Sequence, residues 1–188
     1  NSLNPNDRIP IISSHTAVNG FDTIADSIKD KDNQKKVLNS KFFSWSINLS
    51  KEEIRYINES NGLIGVMLDK GRYAGIRRLK KIEEIKNKTI RKEAYLQLIF
   101  DNIFFYIEAA GNKTAWDILS LGSDFDGIIT HFDDYDKMSR IAQLKSDLIN
   151  YLSETEFKKD LWFDYTPENI MHKIFFSNAN TFLKKHFI

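Results

Sequence analysis

Short apolar runs alternate along this chain with longer stretches whose apolar residues recur every three or four positions. Ile9, Pro10, Ile11, Ile12 and Ser13 form a β-branched run that predicts a buried strand, with Pro10 near its start where a missing N–H matters least. That strand would present Ser14, His15 and Thr16 at its carboxyl end. Residues 21–40 are polar, with weak helical spacing through Ile24, Ile28 and Val37, and predict a surface helix or an inserted excursion; 29–32 read as a solvated turn. Ser50 followed three residues later by Glu53 is a capping box ahead of Ile54 and Ile57, and Asn61-Gly62 supplies the stop. Leu63 to Leu68 then predict a second buried strand, parallel to the first because a helix intervenes.

The basic stretch 70–88 interleaves Arg77, Arg78, Lys80 and Lys81 with Glu83 and Glu84, which predicts a solvated helix rather than a nucleic-acid surface. Residues 91–110 predict the strongest helix, through the stripe Leu96, Ile99, Ile103, Ile107 and Ala110, closed by Gly111-Asn112. The neighbouring Phe100, Phe104, Phe105 and Tyr106 read as helix packing. Residues 116–121 predict a third strand, and 122–127 the loop that leaves it. A helix over 138–152 (Ile141, Leu144, Leu148, Leu152) follows, then a terminal helical region after Thr166-Pro167 carrying Ile170, Ile174, Ala179, Phe182 and Leu183.

Strand and helix alternation predicts an α/β protein with a parallel sheet flanked by helices. Three strands are well under half of an eight-stranded barrel, and a whole barrel needs about 250 residues. Over residues 1–188 the expectation is therefore a partial TIM-like (β/α) barrel, three βα units plus terminal helices. The polar opening through Asn1, Pro5 and Asp7, with no initiator Met, reads as the middle of something larger.

Composition narrows the chemistry. Lys+Arg 27 against Asp+Glu 26 excludes binding driven by a whole-chain field, and 14 Phe, 7 Tyr and 3 Trp exclude wholesale disorder. Without cysteine, disulfides, thiolate metal sites, iron–sulfur clusters and a cysteine nucleophile are excluded. No apolar run approaches the ~18 residues of a membrane span. Cytoplasmic and exported parents are both compatible with these features.

In parallel α/β sheets ligands bind beyond the carboxyl ends of the strands. His15 and Asp124 stand at those positions, and an imidazole with a carboxylate suits a zinc-type ion and a metal-activated water. The plain alternatives are a histidine satisfied without metal and an aspartate that only caps a helix. His131 follows the same loop and reads as a surface histidine beside Asp133 and Asp134; His172 and His186 read as exposed.

The wording around these positions is more specific. Pro10 to Ala17 resembles the “PVIFSHSSA” strand of the membrane (renal-type) dipeptidase family, zinc enzymes of the amidohydrolase superfamily. Asn48 to Ile54 resembles its “NLSDEEL” segment, Asn61 to Val66 its following strand, and Leu121 to Gly127 its “GSDFDG” loop. Glu168-Asn169-Ile170 and Ser177-Asn178 resemble its closing “ENI…GGN” helices. These pieces follow the family's order across nearly the whole chain.

The resemblance implies barrel strands six to eight, with His15 as a ligand of one metal in a two-zinc centre. It implies that Asp124 takes a proton from the bridging water and returns it to the departing amine. Asp126 would be structural, bonding the turn around Gly127. The implied substrate is a dipeptide or related small amide, and the implied partners are the absent N-terminal strands of the barrel, or a second copy in a homo-oligomer. Two departures stand out. Ile47 occupies the place of an arginine that grips the substrate carboxylate, leaving Lys41 as a stand-in. The remaining metal ligands belong to strands one to five, which this chain does not contain. The alternatives are another amidohydrolase reaction, on a lactone or different amide, and a non-catalytic barrel relative that only binds.

Overall fold

A computed structural model describes residues 9–29 and 41–187. The chain is a mixed α/β protein, 58% helical, so helices rather than its three short strands supply most of the core. Three parallel strands lie in the order β1-β2-β3: β1 is Ile12–Thr16, β2 is Leu63–Val66 and β3 is Leu119–Leu121. Ile64 pairs with Ser13 on one side and Leu119 on the other, and Val66 likewise with Thr16 and Leu121. Around the sheet run α1 (Ile24–Lys29), α2 (Lys51–Glu59), α3 (Ile76–Glu83), α4 (Lys88–Ala110), α5 (Ile141–Thr155), α6 (Pro167–His172) and α7 (Asn178–Phe187).

Side-chain capping sets the starts of α2, α4 and α6. Ser50 and Glu53 form the reciprocal capping box of α2, and Thr166 and Asn169 form one for α6, with Pro167 in its first turn. Asn61 adopts the left-handed conformation (φ 52°), and the Gly62 N–H bonds the Ile57 carbonyl. Asn87 caps α4 through the N–H groups of Thr89 and Ile90, and Gly111 closes it at φ 71°.

The central helix departs from expectation in its burial. From Tyr95 onward almost every face of α4 is buried, including Phe100, Phe104, Phe105 and Tyr106, because α2, α3 and α5 all pack on it. Polar side chains in its interior are matched. The Asn102 side chain accepts from the Val18 N–H and donates to the Tyr73 and Leu98 carbonyls. Asp101 receives Arg78 from α3 and Lys41. Lys41 is thus held against the buried helix, which corrects its expected place as a carboxylate grip.

Two strands are shifted. β1 begins at Ile12 rather than Ile9, since Pro10 has no N–H for the ladder and the Ile11 N–H bonds the Ser60 hydroxyl instead. Nor is the run buried: Ile9, Ile11 and Ile12 are 83%, 47% and 49% exposed, and the outer edge of β1 pairs with no strand among the described residues. β3 is shorter than the predicted 116–121, because Asn112 caps a tight turn of helix over Lys113–Asp117. The basic stretch divides likewise into a turn at Lys70–Arg72 and α3. Lys70 is buried rather than solvated, paired to Glu83 and Asp133. Of the polar 21–40 region the described part is α1; the rest, with Val37 and the turn after Lys29, lies outside the described residues, as does the polar opening 1–8.

Among the described residues no helix is long and apolar enough to cross a membrane.

Candidate functional site

Backbone packing brings the carboxyl ends of the three strands close together. The pairing of β1 with β2 is irregular between Ser13 and Thr16, and the Ser14 carbonyl leans over Gly65 and Gly122. A Cβ at either glycine would collide with that oxygen, so both positions require glycine for close approach. His15 follows Ser14 on this rim, and Asp124 follows Gly122. After β3 the chain turns back across the end of β2: the Leu68 N–H bonds the Ser123 carbonyl, the Lys70 N–H bonds the Thr130 carbonyl, and Asp69 and His131 form an antiparallel bridge.

His15 is exposed, and its Nδ1 lies 2.9 Å from the Ser14 hydroxyl. With Nδ1–H donated to that oxygen, Nε2 carries the free lone pair, the arrangement a metal-ligating imidazole adopts. Asp124 is half-buried at φ 57°, and its backbone carbonyl accepts from the Gly127 N–H at 3.0 Å. Its Oδ1 lies where a side chain on Gly127 would sit, 2.7 Å from the position of such a Cβ. This bond assigns the turn to the Asp124 backbone; Asp126 is exposed, also left-handed (φ 69°), and its carboxylate bonds nothing among the described residues, which corrects its expected role.

The rim carries further groups. Asp69 is buried and accepts from the N–H groups of Gly71 (2.9 Å) and Thr130 (3.1 Å), tying the two loops together. His131 is half-buried rather than on the surface: its ring stands 5.7 Å from that of Phe125, and its Nδ1 is buried with no partner among the described residues. His172 and His186 are exposed at the far end of the chain, as expected.

Arg72 is the rim residue that sequence reasoning missed. Its Nε and Nη2 donate to the Asn48 Oδ1 at 3.0 and 2.7 Å, and its guanidinium lies 4.9 Å from the Trp45 ring centroid. Asn48, wholly buried, returns hydrogen bonds from its Nδ2 to the carbonyls of Phe43 and Arg72, both at 3.0 Å. Burial pulls the proton affinity of Arg72 down, and the nearby carboxylates of Asp69 and Asp124 partly restore it. The available signal was weak: one of three Arg residues in a basic segment, four residues beyond where the second strand was expected to end.

Beneath the rim, the buried Tyr106 hydroxyl donates to the Thr16 carbonyl at 3.2 Å, and that of Tyr73 to the Met67 carbonyl. Burial pushes both phenols far above the usual tyrosine range, so they are fixed donors. A separate cleft of about 310 Å³ lies at the opposite, amino end of the sheet, between Gly62, Ile118 and Phe182.

A zinc site needs three or four ligands. Among the described residues no three His, Asp or Glu side chains form such a group. His15 fits the chemistry of one ligand; the described residues do not supply a full set.

In comparisons with known proteins, no family model and no curated protein matches this chain.

Proposed function

We propose that this chain is the C-terminal part, three βα units, of a partial TIM-like barrel belonging to a zinc-dependent amidohydrolase that cleaves a dipeptide or similar small amide. The observation that carries the reading is the placement of His15 and Asp124 at the carboxyl ends of the two strands that flank β2. The motif order supports it, as does the apolar edge of β1, which has no partner strand among the described residues, because an open parallel edge suits further strands alongside.

His15 would hold one ion through Nε2, oriented by Ser14, and upstream strands would provide the other ligands. Zinc when bound acidifies water to a nucleophile near neutral pH. Asp124 is suited to hold the proton that such a water loses and to deliver it to the departing amine. Its carboxylate has no competing hydrogen-bond donor among the described residues. Asp69 ties the loop that follows Asp124 to the turn after β2 through the N–H groups of Thr130 and Gly71.

The test is hydrolysis of a dipeptide panel by the intact protein. Asp124→Asn is close to isosteric, and asparagine tolerates positive φ. It is expected to lower kcat by about 10²–10⁴-fold with zinc content unchanged. His15→Ala is expected to lose metal. An intact protein that binds no zinc, or an Asp124→Asn variant with full turnover, contradicts the reading. The 188-residue chain alone is expected to be inactive, and zinc-dependent turnover by it would show that the proposed upstream ligands are not needed.

A further inference from the structure

The cleft at the amino end of the sheet lies where the chain enters its strands, at Gly62 before β2 and Ile118 before β3, and the last helical stretch closes it. Between α6 and α7 that stretch passes through a π-helical turn over Lys173–Ser177, a feature frequent where a helix serves a site. From this turn onward Lys173, Ser177, Thr181 and Lys185 recur every four residues, so they share one helix face, and all four line the cleft. The buried Asn178 holds the helix against the sheet by donating to the carbonyls of Trp116 and Leu119, both at 2.7 Å. Asn58, Asn61 and Thr114 line the cleft from the end of α2 and the turn before β3, while Ile118 and Phe182 add apolar surface.

Most of the polar groups here are uncommitted. The lining holds one carboxylate, Asp117, and Lys173 already neutralises it. Lys185 has no ion pair among the described residues, and the side chains of Ser177, Thr181 and Asn61 make no hydrogen bond there. The Asn58 Oδ1 accepts from the Thr114 hydroxyl at 3.2 Å, which leaves its Nδ2 donors free. An unpaired ammonium among free hydroxyls and amides favours an anion. These donors come from separate elements rather than from one plane, and lysine acts as a point charge, which suits the tetrahedral oxygens of a phosphoryl group. A volume of about 310 Å³ is at the small end of the range for small-molecule sites, so the ligand is compact.

We propose that this cleft binds a small phosphate monoester, with its phosphoryl group on Ser177, Thr181 and Lys185 and its apolar body against Ile118 and Phe182. The site shares no residue with the rim that carries His15 and Asp124, and it does not rest on the hydrolase reading.

The experiment follows the backbone N–H signals of Gly62, Thr181 and Lys185 in the intact, ¹⁵N-labelled protein during titration with phenyl phosphate, inorganic phosphate and phenol. Phenyl phosphate is expected to shift all three saturably. Inorganic phosphate is expected to move the Thr181 and Lys185 signals at higher concentration, and phenol to leave all three in place where phenyl phosphate saturates. Lys185→Gln, at an exposed position, is expected to bind phenyl phosphate at least about tenfold more weakly. Thr181→Val keeps the shape without the hydroxyl and is expected to weaken binding about fivefold. Lys184→Gln removes an equal charge from a neighbouring exposed position outside the cleft and is expected to change nothing. Phenyl phosphate that binds no tighter than phenol overturns the proposal, as does unchanged affinity in Lys185→Gln or an equal loss in Lys184→Gln. The titration reads no turnover, so its failure leaves the hydrolase reading untouched, and a protein that cleaves no peptide leaves this site standing.

Discussion

Asn48 and Asp124 show how much a single side chain settles here. Asn48 is fully buried and engages Arg72 and the Phe43 carbonyl at once, so three loop segments meet at one amide. Truncating it strands buried carbonyls and half a guanidinium. Asn48→Ala is therefore expected to cost about 2–4 kcal/mol in urea unfolding and to release Arg72 from its fixed orientation. A loss under about 0.5 kcal/mol, the range of an ordinary surface change, would show that the hub is dispensable. His15 and Asp124 were legible from their places at predicted strand ends. Arg72 was not, because its importance lies in a contact to Asn48, 24 residues earlier, that no local pattern encodes.

At the level of elements, caps and periodicity were readable because they are local. The capping box at Ser50, the Thr166 cap before Pro167 and the left-handed stop at Gly111 stand where the sequence puts them. Strand limits were not readable, since whether Ile9 and Ile11 join a ladder depends on a partner edge and on the missing N–H of Pro10. Burial of α4 on nearly all faces also escaped periodicity, because it reflects three helices packing on it from different sides. The sheet's tightest point is the Ser14 carbonyl above Gly65 and Gly122. Gly65→Ala is expected to push β1 away from β2, costing about 1–3 kcal/mol and moving the His15 backbone N–H resonance. Unchanged stability and an unmoved His15 signal would show that β1 is not seated there.

For the molecule as a whole, the core is rich in buried tyrosine. Burial raises the phenols of Tyr73 and Tyr106 far above their unfolded value near 10. The native state then keeps protons that the unfolded chain releases, so stability is full below about pH 10 and falls as pH rises beyond it. Absorbance at 295 nm should show these two tyrosines ionising together with loss of circular dichroism. Ionisation of either while the fold stays intact would contradict their burial. At the same scale, the outer edge of β1 pairs with no strand among the described residues, which leaves room for the further strands that the proposed function requires.

The proposed function rests most on an ion held by His15 within reach of the Asp124 carboxylate. Cobalt(II) substitution of the intact protein, with NMR of ¹⁵N-histidine and of ¹³C-labelled aspartate carboxyls, tests this directly. One equivalent of Co²⁺ is expected to shift the His15 imidazole and broaden the Asp124 carboxyl together, with His15→Ala abolishing both effects. A His15 ring that ignores the metal, or an Asp124 signal that responds only to a different ion, would contradict the shared site.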